Sequence, residues 1–270
     1  MAKPRLSIAQ TFQQLRQQKQ IGVMPFVPAG FPDLATTKAI LPALESAGAS
    51  IIEIGIPFSD PVADGPTIQV AFTQALATGI RVTDIFAAIA DVRPTLSIPL
   101  VAMVSYSIIF RYGSQRFFAD AAAAGFDALI VPDLPPPEAD TVCQQIRQAK
   151  LDTILLVSPS SSPDRRKEIA LLSSGFVYYL AVAGITGERD QLPADLERNV
   201  RELKSLTDRP VCVGFGISKP QHVQQLAGVA DGAIIGSALV RRMADHAAQG
   251  PQAVAQAAGD YCRELLSLVR

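Results

Sequence analysis

Eight short runs rich in Val and Ile alternate with helical stretches along the whole chain, and this rhythm constrains the fold more than any other feature. The runs cover residues 21–27, 50–56, 99–104, 128–131, 153–157, 176–181, 210–213 and 232–235. Stretches with helical character lie between them, at 34–47, 67–92, 115–124, 138–150, 165–172 and 196–206. A strand followed by a crossover helix returns the chain to a parallel neighbour, so repeated βα units build a parallel sheet with helices over it. Eight units without a linker favour an α/β protein of the (β/α)8, or TIM-barrel, class over an open doubly wound sheet. A barrel of this kind occupies about 250 residues as one domain, so residues 1–270 are read as a single domain.

Small residues recur ahead of three runs, at Ala47-Gly48-Ala49, Ala124-Gly125-Phe126 and Ala230-Asp231-Gly232. Glycine there supplies the left-handed backbone that turns a helix end into the next strand. The Pro-rich segment 132–137 follows a strand and precedes a helix, and is read as a stiff loop. Ile8, Phe12 and Leu15 share a face at helical spacing, so an extra amphipathic helix precedes the first strand. The start is basic and free of acids until Asp33, a weak feature of transit peptides, but the amphipathic helix accounts for it better.

Hydrophobic residues make up 49% of the chain and charged ones 18%, enough for a large core. Lys plus Arg (24) and Asp plus Glu (25) nearly cancel, with no long block of one sign, so nucleic acid and membrane surfaces lose their electrostatic attraction. No apolar run reaches the roughly 18 residues of a membrane span. Cys143, Cys212 and Cys262 are odd in number and far apart, which suits a reducing cytoplasm. With only His222 and His246, most zinc sites and Ser-His-Asp triads are excluded, and the chemistry falls to other side chains.

In a barrel the chemistry sits at the carboxyl ends of the strands. The two-residue period of 51–56 puts Ile52, Ile54 and Ile56 towards the helices and Ile51, Glu53 and Gly55 inside. An inward Glu53 is a candidate acid or base, since desolvation penalises its charged form; a buried Glu held in an ion pair or hydrogen-bond network is the alternative. Asp64 follows in a stiff loop, residues 57–66, which holds three prolines. That loop can bring Asp64 over the same mouth, although Asp60 and Asp64 also suit Asx turns or a helix cap. Glycines follow three successive strands, at Gly184 and Gly187, at Gly214 and Gly216, and at Gly236 before Ser237. Backbone amides freed of a Cβ and a helix N-terminus make a phosphate site in this place. All seven lysines fall outside the eight runs, so an imine-forming lysine inside the barrel is not expected. Of Tyr178 and Tyr179, alternation sends one inward.

The segment from Glu53 through Ile54-Gly55-Ile56-Pro57-Phe58-Ser59-Asp60-Pro61-Val62-Ala63-Asp64-Gly65 to Pro66 resembles the signature of the tryptophan synthase alpha subunit family. Gly184-Ile185-Thr186-Gly187, Gly214-Phe215-Gly216-Ile217-Ser218 and Gly236-Ser237-Ala238 match its other motifs in order and spacing, so the resemblance runs from about residue 6 to 242. It implies a lyase that splits indole-3-glycerol phosphate into indole and glyceraldehyde 3-phosphate, with neither metal nor organic cofactor. By the same resemblance Glu53 is the acid/base and Asp64 the partner of the indole N–H. Phe26, Tyr178, Thr186 and Phe215 would line the substrate pocket, and Gly187, Gly216, Gly236 and Ser237 would hold the phosphate. The family docks on a pyridoxal-phosphate beta subunit as an alpha2beta2 assembly. The chain departs from the family pattern at Pro28, at Ser105-Tyr106-Ser107 and at Val182-Ala183. A stand-alone lyase releasing indole, and a non-catalytic phosphate-binding partner of a beta subunit, are the other readings the same motifs allow.

Overall fold

The computed structural model describes residues 3–60, 64–181, 191–214 and 216–269. Eight parallel strands follow one another in sequence order and close into a barrel, the last pairing with the first. In chain order they are β1 (Gly22–Pro28), β2 (Ile52–Gly55), β3 (Leu100–Met103), β4 (Ala128–Ile130), β5 (Asp152–Val157), β6 (Val177–Leu180), β7 (Val211–Gly214) and β8 (Gly232–Ile235). The helices are α1 (Ile8–Gln17), α2 (Leu34–Ala47), α3 (Pro66–Ala77), α4 (Val82–Val92), α5 (Tyr106–Tyr112), α6 (Ser114–Ala124), α7 (Ala139–Gln148), α8 (Pro163–Leu172), α9 (Leu196–Lys204), α10 (Pro220–Leu226), α11 (Ser237–His246) and α12 (Pro251–Leu266). No helix among the described residues is long and apolar enough to cross a membrane.

Strand alternation divides the apolar side chains into two bodies. An inner column contains Met24, Ile51, Val101, Ala128, Ile130, Ile154, Phe176, Tyr178, Cys212 and Ile234. An outer sleeve, between strands and helices, contains Ile52, Ile54, Ile56, Tyr179 and the inward faces of the helices. The period-two reading of residues 51–56 therefore holds, and of the two tyrosines it is Tyr178 that faces the interior.

The amino end of the column is closed by α1. Ser7 caps it by accepting from the Gln10 amide, and the Gln10 side chain accepts from the Ser7 amide in return. Ile8, Phe12 and Leu15 enter the inner column as expected, with the Phe12 ring edge-on to Phe176 at 6.0 Å. The segment before α1 is strapped across the same end: Lys3 pairs with Glu45 at 2.6 Å and Arg5 with Asp127 at 2.7 Å.

Gly48 and Gly125 adopt φ of 102° and 99° at the ends of α2 and α6, which a side chain would strain. The third copy of the small-residue pattern works differently. Gly232 is a strand residue whose absent Cβ leaves room for Cys212 and Met24 inside the barrel. Residues 67–92 form two helices, not one, because the chain turns at Gly79 with φ 76°. A helix not anticipated from the sequence, α5, fills 106–112.

Candidate active site

The carboxyl ends of the strands gather the residues singled out above. Glu53 lies on β2 and pairs in register with Phe26 of β1. It is 1% exposed, and neither carboxyl oxygen finds a hydrogen-bond partner among the described residues. A buried carboxylate without partners is costly, so the proton is retained. Burial and, second, the negative charge of Asp64 raise the Glu53 pKa to about 8.

Asp64 is half-buried and stands immediately before α3. Gly65 occupies the N-cap position and Pro66 the first turn, a pairing that starts a helix without a free amide at its first position. The Gln69 side-chain amide reaches back to the Asp64 carbonyl at 2.6 Å, so the start of α3 fixes the Asp64 backbone. Burial raises the Asp64 pKa to about 6. The two carboxyl groups thus share one site with unequal proton affinity, and Glu53 holds its proton to higher pH.

Phe26 follows Met24 on the inward face of β1 and is 4% exposed. Its ring meets Phe72 of α3 edge-on at 6.4 Å and occupies the space that a Cβ on Gly55 would need. Tyr178 on β6 is buried; desolvation, followed by the charges of Glu53 and Asp64, pushes its phenol far up, so it stays neutral beside the carboxyl pair. Cys212 on β7 is the inner-wall neighbour of Tyr178 in register, and burial likewise keeps its thiol protonated. Its strand position points it inward, yet an apolar-flanked cysteine gives no chemical signal by itself.

The loops after β7 and β8 supply the glycines. Gly216 has φ 88°, a conformation that a side chain would strain. Gly236 precedes α11 as its N-cap, and Ser237, 8% exposed, is the first helical residue. Free amides at the start of a ten-residue helix, with the helix dipole behind them, favour an anion. Thr186, Gly187 and Phe215, together with Val182 and Ala183, lie outside the described residues.

The loops after β3 and β4 are tied together on the same face. Ser105 donates to Asp133 at 2.6 Å, the Tyr106 amide donates to the other Asp133 oxygen at 2.7 Å, and the Tyr106 hydroxyl bonds Glu138. Beside this junction a groove of about 660 Å³ runs between α5, α6 and α7, and Phe110 stands 72% exposed on its wall. Two further residues not singled out from the sequence, His222 and Tyr261, hold Ser218 behind the loop after β7. His222 reaches Ser218 from only four residues along the chain, at the start of α10, whereas Tyr261 reaches it across 43 residues, a contact that no local pattern reveals.

The family model for the tryptophan synthase alpha chain matches residues 12–269. A tryptophan synthase alpha chain of Rhodopirellula baltica is 44% identical over 264 residues, covering 94% of this chain and 95% of that one. Among solved structures, tryptophan synthase subunit alpha of Legionella pneumophila superposes with a TM-score of 0.88 at 32% identity, covering 97% of both chains. Tryptophan synthase of Mycobacterium tuberculosis gives a TM-score of 0.87 at 35% identity over 99% of both chains. With the barrel, the buried acid and the full-length match in agreement, the chain belongs to the tryptophan synthase alpha chain family.

Proposed function

We propose that Glu53 and Asp64 carry out, in this chain, the cleavage of indole-3-glycerol phosphate to indole and glyceraldehyde 3-phosphate that the alpha chain of tryptophan synthase performs. The observation that carries this assignment is the buried, unpartnered Glu53 carboxyl beside Asp64 at the start of α3, a placement that raises Glu53 to about 8 and Asp64 to about 6. Near neutral pH one is an acid with a proton to give and the other an anion. A retro-aldol reaction that uses an indole ring as electron sink needs one of each.

The steps follow from that division. Glu53 donates its proton to C3 of the indole, and the ring nitrogen becomes cationic. Asp64, ionised, accepts a hydrogen bond from the indole N–H and stabilises that charge, in a site dry enough to strengthen the attraction. Glu53, now a carboxylate, takes the proton of the glycerol hydroxyl next to the ring. The carbon–carbon bond breaks, the hydroxyl carbon becomes the aldehyde, and the electron pair of the broken bond returns to the ring and restores its aromaticity. Phe26, Tyr178, Thr186 and Phe215 line the indole and glycerol end of the pocket. The amides of Gly187, Gly216, Gly236 and Ser237, with the Ser237 hydroxyl, bind the phosphate.

The partner is a tryptophan synthase beta subunit, docked where Asp60 and helix α5 face outward, in an alpha2beta2 assembly; the residues after Ser107, read as a loop, are part of that helix, and Pro57 is buried. The exposed Phe110 beside the Ser105–Asp133 junction supports this choice of face, because an exposed aromatic ring is a natural interface anchor. Closure of the loops of Asp64 and Thr186 on docking would exclude water and raise turnover. The enzyme works as a single domain in the cytoplasm.

Turnover of indole-3-glycerol phosphate by the wild-type chain and by Glu53→Gln, each with and without a beta subunit, tests the assignment. A folded Glu53→Gln protein that retains near-normal turnover would remove Glu53 from its role. Calorimetric titration with the beta subunit tests the assembly, and absence of binding alongside full activity of the isolated chain would leave a stand-alone lyase.

A further inference from the structure

The helix α12 follows the eighth βα unit, so it adds nothing to the closure of the barrel. It nevertheless reaches the back of both loops that flank the anion pocket. Tyr261 of α12 is 5% exposed, and its hydroxyl donates to the Ser218 carbonyl at 2.7 Å, across 43 residues of sequence. Ser218 ends the glycine loop after β7, two positions beyond Gly216. The Ser218 amide in turn donates to Nδ1 of His222, a 2% exposed residue on α10. Both backbone groups of Ser218 are therefore held by buried side chains. One face of the Tyr261 ring carries the Arg242 guanidinium at 5.1 Å, and Arg242 belongs to α11, the helix that opens at Ser237. One side chain thus joins the loop after β7 to the helix after β8.

We infer that Tyr261, with His222, is a positioning residue for phosphate: it sets the distance between the Gly216 loop and the amino end of α11. The inference rests on the reading of Gly216, Gly236 and Ser237 as the phosphate site. Amides bind an anion well only when they are already aimed at it, since a loop that must be ordered on binding spends part of its interaction energy on that ordering. Gly216, with its left-handed backbone, has no side chain of its own to hold it. Fixing Ser218 from both sides supplies the rigidity that the glycine lacks. Tyr261 does not touch the ligand, and its effect is confined to the phosphate end.

The test measures two affinities on the intact chain, inorganic phosphate for the anion pocket and indole for the opposite end. Tyr261→Phe keeps the ring and its contact with Arg242 but removes the donor to Ser218. Phosphate should bind about five- to tenfold more weakly, as loss of one buried hydrogen bond allows, while indole affinity stays within twofold. His222→Gln, a milder change on the other side of Ser218, should shift phosphate in the same direction and carries the test alone if Tyr261→Phe does not fold. Ser237→Asp is the control for the site itself, because a carboxylate there repels the anion. If Ser237→Asp abolishes phosphate binding while Tyr261→Phe and His222→Gln leave it unchanged, the positioning role is overturned and the phosphate site stands. If Ser237→Asp also leaves phosphate binding unchanged, the site reading fails and the inference with it. Equal weakening of phosphate and indole by Tyr261→Phe would show general loosening and would overturn the inference as well.

Discussion

Tyr178 fills the space that a side chain on Gly214 would need: a Cβ built on Gly214 overlaps the Tyr178 phenol ring and its hydroxyl. They are not register partners but lie two residues apart along the strands, β6 placing Leu180 opposite Gly214 and Tyr178 opposite Cys212. The bare backbone at Gly214 is therefore what lets a full tyrosine lie flat against the inner wall beside the carboxyl pair. Gly214→Ala should displace that ring and destabilise the protein by about 1 to 3 kcal/mol, the usual cost of overpacking. Turnover should fall with it. In a double-mutant cycle, Tyr178→Leu should relieve part of the Gly214→Ala penalty, measured by denaturant unfolding; strict additivity would show that the two do not compete for space.

Glu53→Gln should abolish most turnover, by a hundredfold or more, and yet stabilise the fold at high pH. The native protein holds the Glu53 proton up to about 8, whereas an unfolded glutamate releases it near 4.5. Between those values the native state binds more protons, so wild-type stability is complete below the lower value and declines as pH rises through the upper one. Glutamine has no such proton to lose. The variant should match wild type at pH 4 and exceed it by up to about 5 kcal/mol above pH 9. Unfolding curves at several pH values check this, and parallel curves would show that Glu53 does not titrate in that window.

The pH dependence of kcat/KM should be bell-shaped, with an acid limb near 6 and an alkaline limb near 8, values that belong to the coupled pair. The proposed mechanism requires Asp64 ionised and Glu53 protonated. Asp64→Asn should lower activity severely and erase the acid limb. It should also move the alkaline limb to lower pH, because the Asp64 charge is one of the two causes that raise Glu53. An unmoved alkaline limb in that variant would sever the two groups.

Lys150, just beyond the C-cap of α7, has φ 63°, a left-handed conformation that costs a side chain energy which glycine avoids. Lys150→Gly should stabilise the protein by about 0.5 to 1 kcal/mol and raise the melting midpoint by about 1 to 3 °C. The residue is exposed and far from the carboxyl pair, so turnover serves as the control.

Much of this architecture was readable because strand alternation is a short-range rule. The inward turn of Glu53 and the outward turn of Ile52, Ile54 and Ile56 needed only six consecutive residues, and the Ile8, Phe12 and Leu15 face needed only one helix. The choice between Tyr178 and Tyr179 needed the exact register of β6, which composition alone leaves open. The helix α5 escaped notice because its start is organised from elsewhere. Ser105 caps it locally by accepting from the Ser107 amide, but the Tyr106 amide and the Ser105 hydroxyl are both held by Asp133, in the loop after β4, 27 and 28 residues away. The run 67–92 read as one helix because its apolar spacing continues through Gly79, while the backbone there turns left-handed. Tyr261 was invisible for the same reason as Asp133: its partner, Ser218, lies 43 residues away and is a neighbour only in the folded chain.

The pairing of β1 with β8 has a consequence for how the protein comes into being. Both candidate catalytic carboxyl groups are encoded in the first quarter of the chain, at 53 and 64, whereas Gly236 and Ser237 come in the last. A nascent polypeptide therefore carries its acid and its anion for most of its synthesis with no pocket to hold a phosphate. Only when the eighth strand has left the ribosome and zipped onto the first do the two ends of the proposed ligand site come into existence together. On the proposed assignment, half-made chains are therefore chemically silent.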